Sequence, residues 1–268
     1  MTTSSPWTRR LLAAVGIFGL VFLTVPILIV IPMSFSSARA LTFPPPGFSL
    51  RWYQAFFGDP RWMDAMWIST GVAAVSSLLA LVLGGLAAYG LRRGRFAGRD
   101  WAEGNFMAPL IVPTIIVAIA LYLALAGIGL LGSLLGLVLA HTILNVPLVM
   151  MVIGVAIRDF DPRIEQVAWS LGASWRYTVW KVMLPNLAPS VFAAWLFAFI
   201  GSFDEVIVTS FIAGKYDTVP KKMFNELVLE VNPTITAVAT LLIGLTVLAL
   251  AAITVVLARA GKLRQTIV

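Results

Sequence analysis

Two adjacent carboxylates, Asp204 and Glu205, stand in the stretch GSFDEVIVTSF, inside a run from Asn186 to Gly214 that is otherwise free of charge. In hydrocarbon such a pair is costly unless it meets a wet cavity or a partner, so a functional role is the first hypothesis. Neighbouring positions on a helix point about 100° apart, so one acid can face a path while the other pairs with an adjacent helix. Phe197 and Phe211 lie seven residues to either side of Asp204, and aromatic rings beside a carboxylate suit an ammonium group. The competing reading is a packing pair, or acids satisfied by a neighbouring chain. His141 and Asn145, four residues apart, share a helix face. They can line a path or hydrogen-bond between helices, and the second arrangement is common in bundles.

Several chemistries are excluded. The chain has no cysteine, so thiol catalysis, disulfides and thiolate metal sites are excluded, and its single His141 cannot by itself build a haem or metal centre. It contains no G-x-S-x-G, and His141 has no serine placed as a nucleophile. It has no G-x-x-x-x-G-K-[ST] either, so it cannot cradle ATP phosphates. No residue is assigned a catalytic role.

The elements that must position the acids are set by composition. Of 268 residues 60% are hydrophobic and 12% charged, against about 25% charged in a soluble domain, which makes this an integral membrane protein. A hydrocarbon core about 30 Å thick needs roughly 20 helical residues. Uncharged runs predict six transmembrane helices, over residues 11–33, 65–91, 105–127, 132–156, 187–213 and 232–258, in one all-α domain spanning 1–268. Spans three and four come from one long uncharged run, divided at the glycine-rich GIGLLG. Pro109, Pro113 and Pro147 predict kinks in them.

With the N-terminus inside, only Arg39, Arg51, Arg61, Lys215, Lys221 and Lys222 of the nineteen Lys/Arg fall outside. That bias puts both termini in the cytoplasm. It also explains the net charge of +7 without nucleic acid, which is not expected as a partner. Arg9, Arg10 and a following ARA resemble a secretory signal, but the apolar run is too long and holds Pro26 and Pro32, so a retained first span is expected. Between spans one and two, three consecutive prolines forbid helix. SLRWYQAFF then predicts a short amphipathic helix, with Trp52, Tyr53, Phe56 and Phe57 suited to the headgroup layer.

Residues 158–186 form the most patterned loop. Asp161 is an N-cap with Pro162 at the first helical position. Ile164, Val167, Ala168 and Leu171 fall on one stripe, and Gly172 supplies a left-handed stop. Ser174 caps a second helix that places Tyr177, Trp180 and Leu184 inward and closes at Leu184-Pro185.

This segment resembles the cytoplasmic coupling loop of type I ATP-binding-cassette importer permeases, whose pattern is Glu-Ala-Ala, three residues, Gly, nine residues, Ile-x-Leu-Pro. Here Gln166-Val167-Ala168 stands first, then Gly172, then Val182-Met183-Leu184-Pro185 at the same spacing. Gln replaces the Glu, Val the first Ala, and Glu165 sits one place early. The resemblance covers the chain from about Arg9 onward. It implies the type I importer permease fold, with a coupling-helix loop between helices four and five that seats in a groove on an ATPase subunit. Glu165, Gln166, Ala168, Leu171, Gly172, Ala173, Leu184 and Pro185 would carry that contact. ATP and magnesium would belong to the ATPase, with no cofactor in this chain. The implied partners are a second permease, two ATPase copies, an extracytoplasmic solute-binding protein and a small-molecule substrate, at a bacterial inner membrane.

FSLRWYQAFF, SFDEVIVTSFIAG and NPTITAVATLLI resemble the spermidine/putrescine branch of these permeases, whose members also carry opines and amino-acid derivatives. A polyamine pathway would then involve Asp204, Glu205, Phe197, Phe211, Asn145 and His141. From another class, six spans with buried acids also fit an ion-coupled carrier or a channel, although no inverted repeat is evident.

Overall fold

The computed structural model describes residues 6–229 and 232–266. Among these, secondary structure is helical apart from one isolated antiparallel bridge, Ser36 to Phe48. The chain forms two compact units, one of Met1–Met63 with Asn225–Leu245, the other of Asp64–Phe224 with Thr246–Val268.

The helices are α1 (Pro6–Ser34), α2 (Arg51–Gly58), α3 (Pro60–Arg93), α4 (Arg99–Ile111), α5 (Thr114–Gly127), α6 (Leu134–Asp159), α7 (Pro162–Ser170), α8 (Trp175–Tyr177), α9 (Leu184–Phe203), α10 (Ile207–Ile212), α11 (Val219–Leu229) and α12 (Thr234–Thr266). Five helical stretches are long and apolar enough to cross a membrane: Arg10–Ser34, Pro60–Arg93, Leu134–Asp159, Trp175–Phe203 and Thr234–Val256.

The third expected span is not one helix. It is the pair α4 and α5, bent by 107°. The cause is Pro113, which offers no N–H and forces the residue before it out of the helical region. Val112 is accordingly extended (φ −75°, ψ 136°), and its N–H closes α4 on Ala108 O. Pro109 sits inside α4 without breaking it. Counting the bent pair as one crossing gives six.

The fifth span also differs, at both ends. Leu184-Pro185 does not close a separate helix, because Trp175–Phe203 runs through as one. Pro185 lacks the N–H that would reach back four residues. The turn before it, Thr178–Met183, is a π-helix, whose wider ring dispenses with that bond. Leu184 N–H reaches five residues back to Val179 O. At its other end the span is interrupted at Asp204–Val206, between α9 and α10.

In the first unit, Ser37 N–H donates to Gly47 O and Ser49 N–H to Phe35 O, flanking the proline-rich loop. The short amphipathic helix is present as α2. Phe56 is buried against Trp62 at 5.5 Å between centroids, whereas Phe57 is exposed. Tyr53 Oη lies 2.8 Å from Ser34 Oγ.

The second unit holds the functional elements. Its core sets Ala80, Ala88 and Leu91 of α3 against Val149, Ile153 and Ile157 of α6 and Leu187, Ala194 and Ala198 of α9. Small residues let backbones approach closely where lipid supplies no hydrophobic drive between helices. At Gly84 a Cβ would meet Val146 O at 2.8 Å and Val149 Cβ at 2.9 Å, so α3 and α6 are in contact at the backbone.

Candidate functional site

The loop of residues 158–186 begins as the sequence predicts. Asp161 caps α7, accepting from Arg163 N–H at 2.9 Å, with Pro162 leading the helix. Gly172 has φ +85°. Gly172 N–H donates to Trp169 O and Ala173 N–H to Ala168 O, the paired bonds that satisfy the last carbonyls of a helix ended by a left-handed residue. Ser174 Oγ accepts from Tyr177 N–H. The result is a finger with a fixed turn.

Its first arm turns its apolar stripe outward, and the faces of its second arm are not as expected. Ile164, Val167 and Leu171 stand out from the chain, Leu171 at 83% exposure, and Ala168 and Ala173 are half-buried. Tyr177 and Trp180 are exposed, while Thr178 and Met183, the two ends of the π turn, face inward. Gln166 and Pro185 are exposed and Leu184 is half-buried. The one buried residue of α7 is Glu165.

The acids lie at the break in the fifth span, not on a continuous helix, and they differ. Glu205 Oε1 accepts from Val208 N–H at 2.6 Å, satisfying one of the orphan donors at the start of α10. Asp204 N–H closes the last turn of α9 on Ile200 O. Its side chain is exposed and has no cation or donor within bonding distance among the described residues. Since α9 runs unbroken up to Asp204, Phe197, two turns back, shares its face. Phe197 lines a cavity of about 430 Å³ between α6 and α9, with Asp159, Asn186 and Ser190. Phe211 lies beyond the break on α10, partly exposed, and its expected relation to Asp204 through one continuous helix does not hold.

His141 is buried between the two halves of the interrupted span. Its Nδ1 lies 2.8 Å from Ser202 Oγ, near the end of α9, and its Nε2 lies 2.9 Å from Thr209 Oγ1, in α10. Thr209 Oγ1 donates to Glu205 O at 3.0 Å, so it accepts from the ring, and the neutral tautomer carries its proton on Nε2. Ser202 then donates to Nδ1 and accepts from Ser76 of α3 at 2.8 Å. Asn145 Nδ2 donates to His141 O, and its Oδ1 would meet a Cβ at Gly201 at 2.8 Å. His141 therefore bridges the break, while Asn145 packs against α9 only; both are buried, away from the exposed face that carries Asp204. The role of His141 across the break had no sequence signal beyond its isolation in an apolar run.

His141→Ala removes one hydrogen bond from each of the Ser202 and Thr209 hydroxyls, which keep only Ser76 and Glu205 O, at about 0.5–1.5 kcal/mol each. The detergent-solubilised variant is expected to melt several degrees lower, and His141→Gln, which keeps a donor and an acceptor, to recover part of the loss. An unchanged melting temperature in His141→Ala would remove the histidine from the architecture of the break.

Among the described residues no group of three or more His, Cys, Asp or Glu is placed to hold a metal.

Comparison with known proteins gives four results. Residues 80–262 match the family model described as binding-protein-dependent transport system inner membrane component. The chain is 33% identical over 248 residues to the putrescine transport system permease protein PotI of Escherichia coli K12, covering 90% of this chain and 86% of that one. It is 33% identical over 226 residues to the spermidine/putrescine transport system permease protein PotC of Haemophilus influenzae, covering 84% and 87%. Its fold is similar to a chain in the crystal structure of a bacterial ABC transporter that imports the acidic polysaccharide alginate, with TM-score 0.67, 17% identity and 97% of this chain covered.

Proposed function

The chain belongs to the family of binding-protein-dependent transport system inner membrane components, and we propose from that premise that it is one permease half of an ATP-driven polyamine importer. A second, related permease completes the path. Of two copies of a cytoplasmic ATPase, which bind the ATP and magnesium, one docks on α7 and its flanks, and an extracytoplasmic binding protein delivers the substrate. Both termini and α7 face the cytoplasm. ATPase closure presses on the finger, and the spans rock between inward-open and outward-open arrangements.

The observation that carries the substrate reading is the division of labour at the break. Glu205 is engaged in capping α10, whereas the exposed Asp204 carboxylate has no cation beside it among the described residues. A carboxylate at the C-terminal, negative end of a helix suits a cation. The names of the relatives supply the chemical class, and a polymethylene amine fits a path with a carboxylate and an aromatic ring on one face.

The test is to purify the chain with the products of its neighbouring genes, reconstitute the complex and follow putrescine uptake. An ATPase is expected to co-purify, and uptake is expected to require ATP hydrolysis. Uptake that continued with hydrolysis abolished and a proton gradient present would point to an ion-coupled carrier instead.

A further inference from the structure

The chain connects the finger directly only to α6 on one side and to α9 on the other, yet two side chains of α3 reach it as well. Arg93, at the end of α3, donates from Nη2 and Nε to Glu165 Oε1 at 2.7 and 3.0 Å. The same Nη2 lies 3.5 Å from Ile157 O and Phe160 O, carbonyls at the end of α6. Glu165 is 3% exposed. One turn earlier on α3, Tyr89 Oη accepts from Trp175 Nε1 at 2.8 Å, and the two rings meet edge to face. Trp175 lies beyond Gly172. The end of α3 thus holds both arms of the finger, one by a charge-assisted pair and the other by an indole.

We infer that Arg93 and Glu165, with Tyr89 and Trp175 in support, are positioning residues that carry the push on the coupling finger into the second span, so that α3, α6 and α9 move as one body. This rests on the coupling reading above. The geometry explains the displaced acid. One residue along a helix is a rotation of about 100°, and the acid standing one place early is turned from the exposed face, where Gln166 lies, onto Arg93. The pair, with Glu165 buried and Arg93 half-buried, is a poor device for stability alone, since replacing a buried ion pair with apolar residues is often neutral or better. It is well suited to fixing one relative position of three helix ends, because the guanidinium fork bonds in a fixed plane.

The experiment uses the reconstituted complex and reads putrescine taken up per ATP hydrolysed. Glu165→Gln keeps the shape and removes the charge. The complex is expected to assemble with its ATPase and hydrolyse ATP, while uptake per ATP falls roughly tenfold, within the usual range of coupling between sites. Tyr89→Phe is expected to deepen the loss. The chain has no cysteine, so in a complex otherwise free of cysteine, Arg93→Cys with Glu165→Cys can be joined by a short bis-maleimide. The unjoined pair is expected to be uncoupled, and the joined pair to recover at least half of the uptake per ATP although both charges are gone.

Gly172→Arg runs alongside as a marker of the finger itself. An unchanged ratio in Glu165→Gln while Gly172→Arg uncouples would overturn the positioning role and leave the coupling reading standing. So would a joined cysteine pair that stays uncoupled. Failure of Glu165→Gln to assemble would overturn it too, assigning the pair to folding. Full coupling in Gly172→Arg would remove the reading on which the inference rests.

Discussion

Asp204→Asn is expected to lower putrescine uptake by roughly 10- to 150-fold in kcat/KM, the loss equivalent to one hydrogen bond to a charged group at about 1.5–3 kcal/mol. The substitution keeps the volume and the position at the end of α9 and removes only the charge. Glu205→Gln is the internal comparison. Its remaining carbonyl oxygen can still accept from Val208 N–H, so the cap at the start of α10 survives in weakened form, and uptake is expected to fall by no more than a few-fold. The order of the two effects matters as much as their size. Equal losses would mean that both acids serve the break, and an unaffected Asp204→Asn would return that residue to the helix-packing reading. Measuring uptake of putrescine and spermidine over a concentration series separates weaker binding, seen in KM, from slower movement, seen in kcat.

Gly172→Arg is expected to reduce uptake by more than 100-fold while leaving the complex assembled and ATP hydrolysis running. Two physical effects combine. A side chain at φ +85° costs about 1–2 kcal/mol, and the paired bonds from Gly172 and Ala173 that end α7 are disturbed. The site is open, with no atom of the chain within 4 Å of the added Cβ, so the Arg side chain projects from the exposed surface of the finger and obstructs whatever seats there. Gly172→Ala separates the two effects, since it brings the backbone strain without the reach. A several-fold loss in Gly172→Ala against a near-complete one in Gly172→Arg is the expected pattern. Full uptake in Gly172→Arg would refute the coupling role of the loop.

Much of this architecture is legible in the residues. The Asp161 cap with Pro162, the left-handed Gly172, the Ser174 cap and the short amphipathic α2 follow from local chemistry that tertiary context does not override. The family resemblance rests on spacing, which survives the substitution of the Glu-Ala-Ala letters. What the sequence hides are places where a helix fails or persists against local expectation. Pro113 predicts a bend but not that it reaches 107°, because the size of a proline kink depends on what packs around the freed carbonyls. Pro185 predicts a stop, yet the π turn before it absorbs the missing N–H. The interruption at Asp204–Val206 contains neither glycine nor proline. Its only local sign is Glu205 standing three residues before Val208, a spacing that suits a side-chain cap, and hydropathy alone reads straight through it. The displaced Glu165 was visible as a departure from the pattern, but its partner Arg93, 72 residues away, was not.

The helix from Trp175 to Phe203 runs unbroken through its π turn for 29 residues, about 43 Å, with the finger at one end and Asp204 at the other. A rod of that kind makes the two ends a single thermodynamic system. If docking at the finger changes the affinity for a cation at Asp204 by some factor, occupancy at Asp204 must change the strength of docking by the same factor. On the proposed reading, a solute arriving at Asp204 would then also be a signal, read at the finger before any nucleotide is consumed.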